Sequence, residues 1–264
     1  MSDEVPRVTV QTLLQALALP EDCRVGQRVP KKLLLEQGVM TAADKRLINE
    51  GVEEIQWLAA LKPTTIGVAA YRDDQREYLE IAVLSLTLRG LADKPAKALR
   101  LAERLHRAIP YPLLLLVQND VELMVTLAHN RWAQNEEGKV VLDGELSVAS
   151  LPTHGSVDDC VADFYRSLAL NLQPQSHLMA LYQGWIDKLD ALNAAELTGT
   201  FTTPANPEQT AARRQALQDI EKLEVEIKHL RSQAKKEKQL ARQVDLNMAI
   251  KRVQAQLTDA HERL

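Results

Sequence analysis

The last 57 residues, 208–264, contain neither glycine nor proline, and this constrains the chain more than any motif in it. So long a stretch without a breaker reads as helix. Within it Ala216, Ile220, Leu223, Ile227, Leu230 and Ala234 recur at alternating steps of four and three residues. Leu246, Ile250, Val253, Leu257, Ala260 and Leu264 repeat the rhythm, so each set is a heptad seam of the kind that drives coiled-coil pairing. The seams are out of phase, because Ala234 and Leu246 are 12 residues apart. Either one long helix changes phase there, or the chain turns back on itself as a helical hairpin. One straight helix of this length would run about 85 Å with an apolar stripe it cannot bury alone. The cover is expected from the tail itself, a second copy, packing on the body or another protein. Ile220, Leu223, Ile227, Leu230, Leu246, Ile250, Val253 and Leu257 are the candidate partner-binding residues.

Charge is distributed unevenly. The whole chain of 264 residues carries a net charge of -4, too little for one dominated by nucleic-acid or membrane electrostatics. Residues 228–242, however, hold six basic side chains (Lys228, Arg231, Lys235, Lys236, Lys238, Arg242) against one acid, Glu237. A basic patch of this kind is either a solvated helix face or a DNA-binding surface. Cys23 and Cys160 are the two cysteines, too sparse for a disulfide framework or a zinc site, which fits a reduced cytosol. The acidic N-terminus does not resemble a signal peptide, and the longest apolar run, 113–117, is too short to cross a bilayer. A cytoplasmic location is expected, with no membrane partner.

Ahead of the linker 198–207, rich in Thr and Pro, the chain reads as an α+β domain (1–152) followed by a helical extension (153–197). Helices are predicted over Val10–Leu19 and Lys31–Gln37, and from Thr41 with Asp44 as its capping-box partner and Gly51 as its C-terminal cap. Val52–Leu61 alternates as a strand. A hairpin is predicted from residues 64–70 into Tyr78–Leu88 through the polar turn 72–76. A helix opened by Asp93 and Pro95 carries Leu99, Ala102, Leu105 and Ile109 inward. Leu113–Gln118 and 121–127 form a second hairpin, and 139–142 with 145–151 a third strand pair. Helices capped by Ser156 with Asp159, and starting after Pro174, follow. The fold class is α+β, with a mainly antiparallel sheet, packed helices and a long C-terminal helical segment.

Catalytic signatures are missing: there is no P-loop, GxGxxG, HExxH or GxSxG. The acids Asp73, Asp74, Glu77 and Glu80 cluster at a predicted turn. Metal-dependent nucleases place an acid on one strand and Glu-x-Lys on the next, but Ala82 stands two residues after Glu80 and Leu79 two after Glu77. Glu80, His106 and Asp74 are therefore weak catalytic candidates. The stretch His106–Pro112 is either a recognition corner or a helix stop with two prolines setting strand entry. The loop 26–32 offers Arg28, Lys31 and Lys32 to an anion, beside Lys235, Lys236, Lys238 and Arg242 in the tail. No cofactor or metal is expected.

The GQRVPKK loop, TAADKRLI from Thr41 to Ile48, Trp57 with Leu61 and Pro63, Tyr78–Ile81, His106–Pro112 and the tail runs Lys236–Lys238 and Val244–Asn247 are similar to a bacterial family known only as a domain of unknown function. The resemblance implies a gene setting beside helicases and DNA methyltransferases in restriction-like or phage-defence operons. It carries over no catalytic residue. The expected role is a non-catalytic adaptor in such a DNA-directed assembly. It would bind a helicase or methyltransferase, or a second copy, through its tail and body, with DNA touched indirectly. The alternatives are a metal-dependent nuclease or other nucleic-acid-processing enzyme, and a DNA-binding adaptor using 228–242.

Overall fold

The computed structural model describes residues 8–36, 40–134, 140–154 and 157–264. They form two compact units, Met1–Leu189 and Asp190–Leu264. In chain order the elements begin with α1 (Val10–Ala16), β1 (Arg24–Arg28), α2 (Lys31–Glu36), α3 (Ala42–Gly51), β2 (Val52–Leu61) and α4 (Pro63–Ile66). Next come β3 (Tyr71–Arg72), β4 (Glu77–Tyr78), β5 (Ile81–Leu88), α5 (Pro95–Ala108), β6 (Leu113–Gln118) and β7 (Glu122–Leu127). The chain continues with β8 (Asn130–Trp132), β9 (Val140–Leu142), β10 (Ser147–Pro152), α6 (Asp159–Ser167), α7 (Leu178–Thr198), α8 (Pro207–Lys236) and α9 (Leu240–His261).

The first unit is α+β. Its main sheet has six strands in the order β1-β2-β5-β6-β7-β10. All neighbours are antiparallel except β5 and β6, which run parallel. The connection explains the exception: α5 intervenes, and a helical crossover returns the chain in the same direction. β5 and β6 are apolar along nearly their whole length and buried, as central strands covered on both faces must be. Ala98, Leu101, Ala102 and Leu105 of α5 join Ile48, Ile55, Leu84, Leu86, Leu115 and Val117 in one core cluster.

Several local readings hold. Thr41 and Asp44 form the capping box of α3, and the β6–β7 hairpin is as expected, with Asn119 Oδ1 accepting from the N–H groups of Val121 and Glu122. Others change. Gly51 is not a left-handed cap but the last residue of α3, and β2 follows at once. The missing side chain leaves room for Leu91: a Cβ would lie 2.9 Å from Leu91 Cδ1, which would have to shift. Residues 64–70 do not form a strand. Pro63 opens the single turn α4 and Gly67, at φ +71°, closes it. The hairpin that follows is the short pair β3–β4, while β5 pairs with β2 and β6.

The third strand pair is also reassigned. β9 pairs with β8, and β10 extends the main sheet along β7 over six registered residues. The longer ladder on β7 outweighs a local hairpin at Gly144. Leu99 of α5 points outward, while Leu101 and His106 take inner positions. α1 stops at Ala16, and Asp158 caps α6. Gln37, Lys139 and Ser156 lie outside the described residues.

In the second unit α8 and α9 run antiparallel as a helical pair. Arg263 bonds Asp219 at 2.8 Å at one end, and Gln243 reaches the Ala234 carbonyl at 3.5 Å near the other. The turn between them is ordered by Glu237, the single acid of the basic stretch. Its Oε1 accepts from the N–H groups of Lys238 and Gln239, both at 2.8 Å. Those backbone bonds favour the carboxylate and hold its pKa below the ordinary value. The 12-residue phase break is therefore a turn. Ala216, Ile220, Ile227 and Ala234 of α8, and Val253 and Ala260 of α9, are buried.

Candidate functional site

The polar groups of the first unit are mostly committed to its own structure. Asp44 is buried, yet Arg100 Nε lies 2.7 Å from its Oδ1 and Arg104 3.1 Å from its Oδ2. Its Oδ2 also accepts from the Thr41 hydroxyl at 2.8 Å. The Arg100 hydrogen bond is the leading cause that takes its pKa down to about 2, against the opposing pull of burial. This carboxylate ties the start of α3 to α5.

His106 lies in the core, where Nε2 meets Thr126 Oγ1 at 2.9 Å. Desolvation dominates and takes its pKa down to about 3, so it is neutral at physiological pH. Glu80 is also buried, and Lys62 Nζ lies 3.2 Å from its Oε2. That lysine directly follows β2, whereas Glu80 lies in the short link between β4 and β5 and not on a strand as the sequence suggested. Asp74 is exposed in the β3–β4 turn, whose backbone is held instead by Asp73 Oδ1, 2.8 Å from Gln75 N and 2.6 Å from Arg76 N. Glu80 thus engages Lys62, and His106 engages Thr126. Among the described residues no three His, Cys, Asp or Glu converge as a metal-ligand set.

A polar relay joins residues that looked unrelated in sequence. The Tyr78 hydroxyl meets His129 Nδ1, His129 Nε2 lies 2.8 Å from Gln183 Oε1, and Gln183 Nε2 donates to Asp187 Oδ1 at 2.6 Å. Because Gln183 presents its oxygen to the ring, His129 carries its proton on Nε2 and accepts from Tyr78 on Nδ1. Tyr182 beside it accepts from Ala128 N–H at 2.9 Å and donates to the Leu113 carbonyl at 2.8 Å. Burial pushes both tyrosine hydroxyls well above their ordinary pKa. Arg76 pairs with Asp143, locking the β3–β4 hairpin to the β8–β9 hairpin. Tyr78 and Tyr182 are fully buried, while His129, Gln183 and Asp187 are half-buried, so the relay runs from the interior toward the surface.

The basic loop is similarly engaged. Arg28 pairs with Glu54 at 3.5 Å, and Lys31 Nζ donates to the Val52 carbonyl. Lys32 is exposed.

The helical pair presents its groups outward. Lys235, Lys236, Lys238 and Arg242 are all exposed around the turn. Of the seam residues, Ile220, Ile227 and Val253 are buried, while Leu223, Leu230, Leu246, Ile250 and Leu257 are half-buried. Two open grooves lie along the pair. One, about 660 Å³, is lined by Gln233, Lys236, Glu237, Arg242, Asp245 and Leu246. The other, about 410 Å³, is lined by Asp219, Lys222, Leu223, Gln256, Asp259 and Arg263. Outside the seam, α9 carries Leu240, Val244 and Met248 at 76%, 50% and 51% exposure. Their spacing of four residues places them on one helix face.

A profile for a domain of unknown function, DUF4391, matches residues 17–257. The chain belongs to this family. Neither the curated proteins nor the solved structures gave a match.

In this DUF4391 protein the sequence reading offered the helical hairpin as one of its alternatives for the tail but missed the outer α9 ridge, because Leu240, Val244 and Met248 lie off the heptad rhythm. It also missed the Tyr78–His129–Gln183–Asp187 relay, whose members span 110 positions and share no motif.

Proposed function

We propose that this protein is a non-catalytic adaptor of a bacterial DNA-directed assembly, restriction-like or phage-defence in type, which holds a partner protein through its helical arm. The supporting observation is the exposed ridge Leu240–Val244–Met248, which lies outside the seam shared by α8 and α9. Apolar side chains that a helix pair does not bury are a natural docking strip for a partner helix or groove. The polar groups of the first unit, by contrast, serve its internal packing and favour a scaffold over a catalyst.

The partner in this reading is the helicase or DNA methyltransferase that the family resemblance implies. The test is co-expression with those neighbouring products and co-purification by a tag on this chain. Capture is expected with the wild type, and loss in the triple variant Leu240→Asp, Val244→Asp, Met248→Asp. Absence of either protein from the wild-type eluate would sink the adaptor role.

A further inference from the structure

The outer face of α8 bears a second, separate pattern. Glu221, Glu224, Lys228, Arg231 and Lys235 follow one another at steps of three, four, three and four residues, so they line one stripe of the helix. All five are exposed, and among the described residues none forms an ion pair within the chain. The stripe is acidic at one end and basic at the other, and its first four residues, Glu221, Glu224, Lys228 and Arg231, are arranged symmetrically about position 226. Glu224 and Lys228 stand two residues to either side, and Glu221 and Arg231 five to either side. Val225, 64% exposed, sits next to that centre. It is four residues after Glu221 and three before Lys228, close to both on the helix surface.

A stripe with this symmetry is complementary to itself when reversed. We propose that two copies of the chain associate through antiparallel α8 helices around a two-fold axis near position 226. Each copy's Glu221 faces Arg231 of the partner copy, and each Glu224 faces Lys228 of the partner copy. The two Val225 side chains pack beside the axis. The contact is isologous, since the same patch serves both copies, and it closes after two. Opposite charges at flanking helix positions set orientation and register, because a parallel pairing would place acid on acid and base on base. The surface is distinct from the α9 ridge of the adaptor reading, so either can fail without the other.

The full chain is to be measured by sedimentation equilibrium and by light scattering after gel filtration. The wild type is expected at twice the 29.5 kDa chain mass, with a dissociation constant that rises as salt goes from about 0.05 M to about 0.5 M. Glu221→Lys with Glu224→Lys makes the stripe uniformly basic and is expected to raise that constant at least about tenfold. Lys228→Glu with Arg231→Glu should do the same. Combining all four reversals restores complementarity, and the dimer should return. Val225→Asp should also give monomer, with helical circular dichroism unchanged because the side chain is exposed. A wild type that stays a single chain at about 100 µM, where a micromolar complex would be mostly assembled, overturns the proposal. So does a dimer that survives the first double reversal, or a fourfold variant that remains monomeric. A duplex DNA oligonucleotide bound by the wild type as a monomer, and released by Lys228→Glu with Arg231→Glu, would overturn it too and assign the stripe to nucleic acid.

Discussion

The two units place their candidate functional groups differently. In the first, Asp44, Glu80, His106 and Tyr78 are buried and each meets a partner inside the fold. In the second, the basic residues around the α8–α9 turn and the stripe on α8 face water, and so does the apolar ridge of α9. Buried polar groups cost stability unless satisfied, so a fold keeps them for structure or for a site opening to solvent. Exposed, regularly spaced groups on a helix contribute little to folding and much to recognition. Residues that look chemically suggestive in the first unit are thus engaged by the fold, and those that look bland in the second stay open to solvent.

Measurements of stability can break or sharpen that contrast. Trp185 is fully buried and donates to the Leu168 carbonyl at 2.9 Å. Trp185→Ala is expected to cost about 3–5 kcal/mol in urea unfolding, and a loss under about 1 kcal/mol would mean the first unit is less tightly packed than described. Asp44→Ala removes one half of the α3 capping box and two guanidinium contacts, and about 2–3 kcal/mol should be lost. With its carboxylate held near 2 against an ordinary 3.8, Asp44 stabilises the fold above pH 4. That contribution fades as the pH falls through the lower value, so the acid sensitivity of Asp44→Ala should be reduced below pH 4.

His106 acts over a different range. Its folded pKa near 3 lies below the ordinary 6.5, so below pH 6.5 the unfolded chain takes up a proton that the native state refuses. Stability is complete above that value and should fall by about 2 kcal/mol on going down to pH 5. His106→Gln should flatten that slope, and an unchanged slope would show that another group carries it. The smallest effect belongs to the arm: Leu240→Ala should shift unfolding by less than about 0.5 kcal/mol. A larger loss would mean that this leucine is covered after all, and that the arm is less unlike the first unit than its exposure indicates.

Much of this was legible in the residues themselves. The capping box Thr41–Asp44, the buried strand Leu113–Gln118, the Asn119 turn and the two seams all arise from short-range rules: side chains reaching backbone groups three residues away, or periods set by helix and strand geometry. Position 226 and its flanking charges were readable too, once α8 was known to expose that face. What the sequence by itself determined was therefore local: where the chain turns, which segments bury both faces, and that the tail has two ridges needing cover.

Tertiary structure alone decided which long-range partners won. Ser147–Pro152 joined β7 and not the neighbouring β9. Lys62, just past the end of β2, came to Glu80 in the link between β4 and β5, and His129 to Tyr78 and Gln183. His106 went into the core while Leu99 was left outside. None of these follows from periodicity, because a residue's spacing states which face it shares and not what packs against that face. Only the fold sets distances between residues far apart in the chain, and burial and pKa depend on those distances.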